Sequence, residues 1–286
     1  MSSTVKIDFF VAGFSKCGTT SLCAALAMHP DIFVPETKEP RYFSSDRFDE
    51  RHRAFEKMYA PAAAGQKLCD GSPVYSSAAR VEVAIPRIRE NNPQARFIFI
   101  ARHPRKRIES YYREMHHSGA TFGVRPPFAL TEFLTNHPGA IENAVYVDRL
   151  QRFITEFGDD AILPVFLEDF QANSRAVTQA CCAHIGVDPE KLPAQNPVQL
   201  NVGSEKLHDT RILRWLMKNP RLRYAIASKS PERQDEVLRR LRLRVPFGNR
   251  PVPWDEPAEA IYRERVVPKA LEYLQVCGKP RDFWRL

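Results

Sequence analysis

The chain has 286 residues, of which 43% are hydrophobic and 27% are charged, and its formal net charge is +8. This composition is typical of a soluble globular protein, and the sequence contains no internal repeat or low-complexity tract. The N-terminus has neither the basic nor the apolar region of a signal peptide, and no apolar run approaches the roughly 18 residues of a membrane-spanning helix. We therefore expect a cytoplasmic protein with a single domain over residues 1–286, a length within the range of one α/β domain with excursions.

The six cysteines show neither the paired spacing of a zinc site nor a pattern with histidine that would hold a metal. We therefore expect reduced thiols and no bound metal. One of them, Cys17, is interpreted as a small residue that fills a tight turn, since a buried cysteine usually behaves as a small hydrophobic residue.

The first predicted element is a strand that runs into a loop and then a helix. An apolar, β-rich run covers residues 7–12, a loop covers residues 13–19, and apolar residues follow at helical spacing. This arrangement places backbone N–H groups and the positive end of the helix where an anion can bind. The loop differs from the usual P-loop, G-x-x-x-x-G-K-[ST], because Lys16 precedes Gly18 instead of following it. The pattern predicts a phosphate site whose lysine faces a different atom of the nucleotide.

A second strong strand is predicted at residues 96–101 and ends at Arg102. In open α/β sheets ligands lie beyond the carboxyl ends of the strands, so Lys16 and Arg102 should converge on one crevice. Residues 117–140, rich in proline and glycine, are predicted to be a loop that lines an acceptor site. The other predicted elements are strands at 67–70 and 161–167 and helices at 46–66, 78–89, 107–115, 144–157, 172–185, 207–227 and 257–276.

Residues 211–250, here called the basic segment, carry twelve Lys or Arg against three acidic residues, a local balance of +9. The segment is interpreted either as a solvated helix face or as a surface that attracts an anionic acceptor, a membrane or a nucleic acid. Aromatic residues do not alternate with the basic ones as in nucleic-acid-binding segments, and residues 237–245 are typical of an amphipathic segment. We therefore expect no nucleic-acid partner.

Two motifs resemble the nucleotide-binding signatures of sulfotransferases that use 3′-phosphoadenosine 5′-phosphosulfate (PAPS). They are F-x-x-G-x-x-K-C-G-T-T-S-L at 10–22 and I-A-R-H-P-x-x-R-x-x-S-Y-Y at 100–112. Further matches are similar to the branch of the family that contains heparan-sulfate and bacterial enzymes: KEPRYF at 38–43, DGSPVY at 70–75, VFLEDF at 165–170 and a Y-x-x-x-L-x-x-F-x-x-x-F pattern from Tyr146.

The resemblance implies a donor site in which the loop wraps the 5′-phosphosulfate and Lys16 neutralises charge on the departing phosphate. Arg102 and Ser110 match the positions that grip the 3′-phosphate, for which the planar fork of arginine is suited. The late loop at 201–211 is the best candidate to close over PAPS. The donor-site residues assigned in this way are Ser15, Lys16, Cys17, Gly18, Thr19, Thr20, Ser21, Arg102, Ser110, Lys206 and Arg211.

The resemblance also implies that Glu39 is the general base, since it matches the catalytic glutamate of the heparan-sulfate enzymes. A carboxylate in a crevice with aromatic walls is expected to have a pKa raised toward neutrality, which favours that role. Two alternatives stay open. Either Asp70, at the end of the third candidate strand, is the base, or Glu39 only pairs with Lys38 or Arg41 at the surface.

The sequence therefore predicts an α/β fold with a central, mostly parallel sheet, a P-loop-like loop after the first strand and helices on both faces. The predicted activity is metal-independent transfer of a sulfuryl group from PAPS to a hydroxyl by in-line displacement, with release of 3′-phosphoadenosine 5′-phosphate (PAP). The acceptor stays open among lipids, natural products, carbohydrates and small alcohols. Two other functions stay open as well: a P-loop-type kinase that needs Mg²⁺, and a non-catalytic module that binds an anionic polymer or a membrane.

Overall fold

The computed structural model describes residues 5–121, 124–194, 206–227, 231–248 and 250–286. The chain separates into two compact units, each assembled from segments that are distant in sequence. Unit 1 comprises Met1–Arg107, Ile141–Leu200 and Arg263–Leu286, and unit 2 comprises Ile108–Ala140 and Asn201–Tyr262. Within the described residues, no helix has both the length and the apolarity needed to cross a membrane. A single domain over residues 1–286 stays a prediction.

Unit 1 is built on a five-stranded sheet. Its strands are β1 (Phe9–Gly13), β2 (Ile32–Phe33), β3 (Lys67–Asp70), β4 (Arg96–Ala101) and β5 (Ile162–Phe166). All are parallel, in the order β2-β3-β1-β4-β5, and in the middle strand Phe10 lies opposite both Asp70 and Phe97. Every residue of β1 is buried, as expected of a parallel strand covered on both faces. The predicted parallel sheet is confirmed.

The α-helices lie in both units. They are α1 (Thr19–Leu26), α2 (His52–Tyr59), α3 (Val81–Asn91), α4 (Pro104–Thr121), α5 (Leu130–Asn136), α6 (Gly139–Glu142), α7 (Val147–Phe157), α8 (Leu167–Ala172), α9 (Ser174–Ile185), α10 (Arg211–Leu216), α11 (Pro220–Ala227), α12 (Pro231–Arg240), α13 (Glu256–Arg265) and α14 (Val267–Val276).

Helices cover both faces of the sheet, as predicted. On one face the rings of Phe10 and Phe97 stack with centroids 5.3 Å apart and belong to a core shared with α3, α7 and α14. On the other face Phe9, Val11 and Ile100 belong to a core shared with α1 and α9. Neighbouring residues of a strand point to opposite faces, so the consecutive apolar residues of β1 contribute to both cores.

The prediction of a loop over residues 117–140 is wrong. Helix α4 continues to Thr121, and both α5 and α6 lie in the same stretch. Helix α5 buries Leu130, Phe133 and Leu134 at helical spacing. The prolines and glycines on either side of this short apolar pattern concealed it in the sequence.

Two helices predicted late in the chain are divided in the structure. Residues 207–227 contain strand β6 (Leu207–Asp209) followed by α10 and α11, and residues 257–276 contain α13 and α14. A proline, Pro220 or Pro268, stands in the first turn of the second helix of each pair. Proline lacks an N–H and restricts the residue before it, so it begins a helix more readily than it continues one.

Unit 2 contains β6 paired antiparallel with a second short strand, β7 (Arg244–Pro246). The basic segment lies in this unit. Part of the segment is apolar and faces inward. Leu213, Met217 and Leu238 are buried there and form a small core.

Two arginines of the basic segment also turn inward. The guanidinium of Arg214 lies 3.8 Å over the ring centroid of Phe128, and Arg244 lies 3.6 Å from the buried carboxylate of Asp209. Burial lowers the pKa of both arginines. The basic segment is therefore a solvated face only in part.

Candidate active site

The loop after β1 contains two residues with left-handed backbone. Lys16 has φ +69° and Gly18 has φ +96°. A side chain at Gly18 is disfavoured twice, since L residues rarely adopt this φ and a Cβ there would lie 2.7 Å from Leu167 Cδ1. Helix α1 begins at the next residue, Thr19, and its first turn has neither a capping side chain nor an acidic residue. The positive end of this helix is therefore suited to an external anion.

Two arginines of the second motif contact the carbonyl groups of this loop. Arg107 Nε donates to the carbonyl oxygen of Ser15 at 3.3 Å, and Arg102 Nη1 donates to that of Lys16 at 3.3 Å. Arg107 is almost fully buried, with 1% of its surface exposed. In the part of the chain that the structure describes, the buried Nε of Arg102 has no hydrogen-bond partner. The two guanidinium groups make the surroundings of the loop electropositive.

The structure places the predicted donor-site residues of the loop in buried or half-buried positions. Cys17 is fully buried, and its Sγ lies 3.5 Å from the hydroxyl of Tyr146. Burial raises the pKa of the Cys17 thiol, so it stays protonated and chemically inert. Its interpretation as a small residue in a tight turn agrees with this environment. The other loop residues are half-buried at Ser15, Lys16, Gly18 and Thr20 and buried at Thr19 and Ser21.

Lys38 is a site residue to which the sequence analysis gave no role of its own. Its Nζ donates to Thr19 Oγ1 at 3.2 Å and lies 2.9 Å from Glu39 Oε1. The ammonium therefore touches both Thr19, at the end of the loop after β1, and the predicted base Glu39. The sequence feature that could have identified Lys38 as a site residue is its position next to Glu39 in KEPRYF. That position does not reveal that the side chain contacts Thr19, nineteen residues away.

Glu39 is half-buried, with 26% of its side chain exposed, and its two carboxylate oxygens contact different cations. Oε1 faces Lys38, and Oε2 accepts from Arg41 Nη2 at 2.7 Å. Burial raises the pKa of Glu39, but the charges and hydrogen bonds of Lys38 and Arg41 outweigh it, and the pKa is lowered. The expectation of a pKa near neutrality is wrong for this state, because the sequence did not show that both neighbouring cations fold back onto the carboxylate.

Asp70, the alternative base, lies inside the core of unit 1. It is fully buried, and its oxygens accept from the Ser72 backbone N–H at 3.0 Å and from the Tyr75 hydroxyl at 2.7 Å. Burial raises the pKa of Asp70 to about 7, although both hydrogen bonds lower it. Its pKa suits a base better than that of Glu39, but its carboxylate is enclosed by protein.

Three further predicted donor-site residues lie in unit 2. Ser110 is on α4, Arg211 is exposed at the start of α10, and Lys206 forms an ion pair with Glu114. Of the late loop predicted at 201–211, residues 201–205 lie outside the described residues. The structure thus brings Lys16, Arg102 and Glu39 into one unit, and it describes Ser110, Lys206 and Arg211 in the other.

A family model described as a sulfotransferase domain matches residues 6–210. This range includes the loop after β1, KEPRYF and the second motif. No curated protein sequence matches the chain significantly.

Solved structures of sulfotransferases are similar to this chain, among them the three that follow. The sulfotransferase from Alicyclobacillus acidocaldarius is 19% identical with a TM-score of 0.62, and the match covers 99% of this chain and all of that one. A sulfotransferase domain from the curacin biosynthetic pathway is 17% identical with a TM-score of 0.48, covering 85% of this chain and all of that one. A sulfotransferase domain from the Synechococcus PCC 7002 olefin synthase is 19% identical with a TM-score of 0.45, covering 84% of this chain and 95% of that one. The first of these supports the fold.

Proposed function

The chain belongs to the sulfotransferase family, and on that premise we propose that it transfers a sulfuryl group from PAPS to a hydroxyl of an acceptor. The observation that carries this proposal is the double contact of Lys38, which joins Thr19 of the phosphate loop to the carboxylate of Glu39. A single side chain therefore connects the candidate base to the loop that is proposed to bind the donor. Sulfuryl transfer needs a base close to the donor, because the acceptor hydroxyl must lose its proton while its oxygen attacks the sulfur of the donor.

The loop suits the donor's 5′-phosphosulfate. The N-terminal turn of α1 is electropositive, and the hydroxyls of Thr19, Thr20 and Ser21 are groups that can donate hydrogen bonds to anionic oxygens. Arg102 fits a second phosphate, since its Nε is buried and has no partner among the described residues. We propose that Arg102 and Ser110 hold the 3′-phosphate, which would distinguish PAPS from ATP.

Each proposed catalytic group has one task in an in-line displacement. The acceptor oxygen forms a bond to sulfur while the bond between sulfur and the bridging oxygen breaks, and PAP leaves with that electron pair. Lys16 stabilises the charge on the bridging oxygen, and Glu39 takes the acceptor's proton. A charge-stabilising donor of this kind typically contributes on the order of 100- to 1000-fold in rate. Lys206 and Arg211 are proposed to approach the donor phosphates from the late loop.

The acceptor is proposed only as a hydroxyl compound: a lipid, a natural product, a carbohydrate or a small alcohol. Such sites are built by loops, and a fold gives no basis for choosing among them. The cytoplasm stays the predicted compartment.

The function is tested with PAP, PAPS and EDTA. We expect PAP to raise the melting temperature of the protein, because it binds the folded chain only. We expect transfer of labelled sulfuryl from PAPS to members of an alcohol and phenol panel, with the rate unchanged by EDTA. EDTA-sensitive phosphoryl transfer from ATP would instead establish the kinase alternative. Absence of any shift with PAP, together with salt-sensitive binding to an anionic polymer, would establish the non-catalytic one.

A further inference from the structure

The side chain of Lys38 is held in a narrow slot. The backbone carbonyl oxygen of Lys38 accepts a hydrogen bond from the backbone N–H of Gly71 at 3.0 Å. A Cβ at Gly71 would lie 3.0 Å from both Cγ and the carbonyl oxygen of Lys38 and 2.8 Å from Cys23 Sγ. Only 17% of the Lys38 side chain is exposed. The stem is thus enclosed, and the position of the ammonium between Thr19 and Glu39 is a built feature.

An ammonium in this position lies between a carboxylate, that of Glu39, and the loop that would hold the anionic donor. It carries three N–H donors, of which one faces the carboxylate of Glu39 and one the hydroxyl of Thr19. When sulfuryl oxygens occupy the loop beside Thr19, they compete with Glu39 for the same charge. A rotation about the last bonds of the side chain is enough to exchange one partner for the other, since lysine is a point charge on a flexible stem.

Resting on the function proposed above, we propose that Lys38 couples Glu39 to the donor by contacting each of them in turn. It holds the carboxylate while the loop is empty, and it turns to the sulfuryl oxygens when PAPS binds, which frees Glu39 Oε1 for the acceptor hydroxyl. The acceptor proton then passes to Glu39 as the new bond to sulfur forms and PAP departs. The base is thereby made available only when there is a sulfuryl group to transfer.

The charges around Glu39 fix the direction of the change. Lys38 and Arg41 lower its pKa, whereas burial raises it and the neighbouring Asp70 is a like charge when ionised. Removal of one of the two cations from the carboxylate leaves burial opposed by Arg41 alone. The pKa of Glu39 should therefore rise when Lys38 turns away, which makes Glu39 a stronger base.

The test measures the pKa of Glu39 by NMR of ¹³C-labelled glutamate carboxyls, with the signal assigned by its loss in Glu39→Gln. Titrations are compared for the free protein, the protein with PAP, and the protein with PAPS in the absence of an acceptor. PAP is the charge control, because it carries the phosphates but lacks the sulfuryl group. In the unchanged protein PAPS should raise the pKa of Glu39 more than PAP does.

The variants are Lys38→Met, which keeps the stem without the charge, and Arg41→Met, which removes the other cation but not the one that touches the loop. In Lys38→Met the difference between PAP and PAPS should vanish. Turnover should fall on the order of 100-fold, because the charge that stabilises the sulfuryl oxygens is lost even though Glu39 becomes a stronger base. In Arg41→Met the difference should persist. Equal effects of PAP and PAPS in the unchanged protein, or a difference retained in Lys38→Met, would overturn the coupling. Failure of PAPS to bind at all would instead overturn the proposed function.

A separate observation concerns the outer surface of the basic segment. Large apolar side chains stand in solvent there: Tyr224 is 78% exposed, Trp215 69%, Ile212 64% and Leu241 60%. Ile212 and Trp215 lie in α10, Tyr224 lies in α11, and Leu241 directly follows α12. Other residues of this stretch form the small core of unit 2. The same stretch of the chain carries exposed basic side chains at Arg211, Lys218, Arg221, Arg239, Arg240 and Arg242.

Exposed apolar and basic side chains together favour one class of partner over two others. A second copy of the chain would bring two strongly basic faces together, which like-charge repulsion opposes. A polyanion would neutralise the arginines but leave the apolar side chains in water. An anionic lipid bilayer satisfies both, since tryptophan, tyrosine and leucine enter its interface while arginine and lysine contact the head groups. We infer that this face docks on an anionic membrane surface.

The test is sedimentation with vesicles of phosphatidylcholine alone or of phosphatidylcholine and phosphatidylserine in equal parts. The protein should sediment with the second kind only, less so at high salt. Trp215→Ser with Leu241→Ser should weaken sedimentation on the order of 10-fold, whereas Val83→Ser with Val276→Ser, two exposed valines of unit 1, should not. Binding that persists in the first pair would indicate a site for anions alone. A dimer dissociated by Trp215→Ser would indicate a second copy. Either result would overturn the inference.

Discussion

Arg102 Nη1 donates a hydrogen bond to the carbonyl oxygen of Lys16 at 3.3 Å, across a separation of 86 residues in sequence. Through this contact the second sequence motif supports the loop of the first. The carbonyl oxygen of Lys16 is thus paired with a guanidinium, so its partial charge is offset before any ligand arrives. Arg102 and the loop after β1 are therefore coupled, and substitution of Arg102 is expected to disturb that loop.

Substitution of Lys16 by alanine should lower turnover on the order of 100- to 1000-fold, because the charge at the bridging oxygen is lost. The measurement is the steady-state rate of sulfuryl transfer from PAPS. Circular dichroism and the melting temperature check that the loop still folds. Undiminished transfer would remove Lys16 from its proposed role.

Substitution of Glu39 by glutamine should abolish most turnover and leave PAP binding within a few-fold, since glutamine cannot accept the acceptor's proton. Asp70→Asn is the matched comparison, and its turnover should be near that of the unchanged protein because Asp70 is enclosed in the core. The reverse outcome, with Asp70→Asn inactive and Glu39→Gln active, would move the base to Asp70.

Substitution of Arg102 by lysine should weaken PAP binding about 10- to 100-fold, because the planar fork that can hold a phosphate by two hydrogen bonds is replaced by a single ammonium. Binding of adenosine 5′-phosphate, which has no 3′-phosphate, should change far less. Calorimetric titration with both nucleotides gives the comparison. An equal loss for both would mean that Arg102 acts only through the loop.

Substitution of Gly18 by alanine should destabilise the protein and weaken PAP binding, because the new Cβ would lie 2.7 Å from Leu167 Cδ1 and the φ of +96° is unfavourable for alanine. Gly158→Ala separates the two causes, since Gly158 has φ +87° and a Cβ added there would meet nothing within 4 Å. The urea midpoint should fall more for Gly18→Ala than for Gly158→Ala. Equal falls would show that the contact with Leu167 relaxes without cost.

The buried carboxyl of Asp70 predicts a dependence of stability on pH. Its folded-state pKa, about 7, is above its ordinary value of 3.8, so the folded chain holds a proton between those values that the unfolded chain releases. Its contribution to stability is therefore present at low pH and is lost as the pH rises through that window. The unchanged protein should lose more melting temperature between about pH 5 and about pH 8.5 than Asp70→Asn does. Parallel curves for the two proteins would contradict the raised pKa.

The sequence allowed the parallel sheet and the loop after β1 to be predicted, because both depend on local patterns of apolar residues and glycines. It did not reveal α5, whose apolar pattern is short and bordered by proline. It also gave the wrong direction for the pKa of Glu39. That value depends on where Lys38 and Arg41 point, and the directions of flexible cationic side chains are set by tertiary packing around Gly71 and Ser72.

The central place of β1 bears on how the protein is made. Phe9 lies opposite Cys69 on one side and Arg96 on the other, so the first strand of the chain has no hydrogen-bonding partner until much later segments have been synthesised. Folds that depend on such distant pairings form slowly, and their unpaired strands are exposed in the meantime. The apolar run of β1 is therefore exposed to aggregation while the rest of the chain is still being synthesised. A fragment that ends before β4 should require a chaperone to stay in solution.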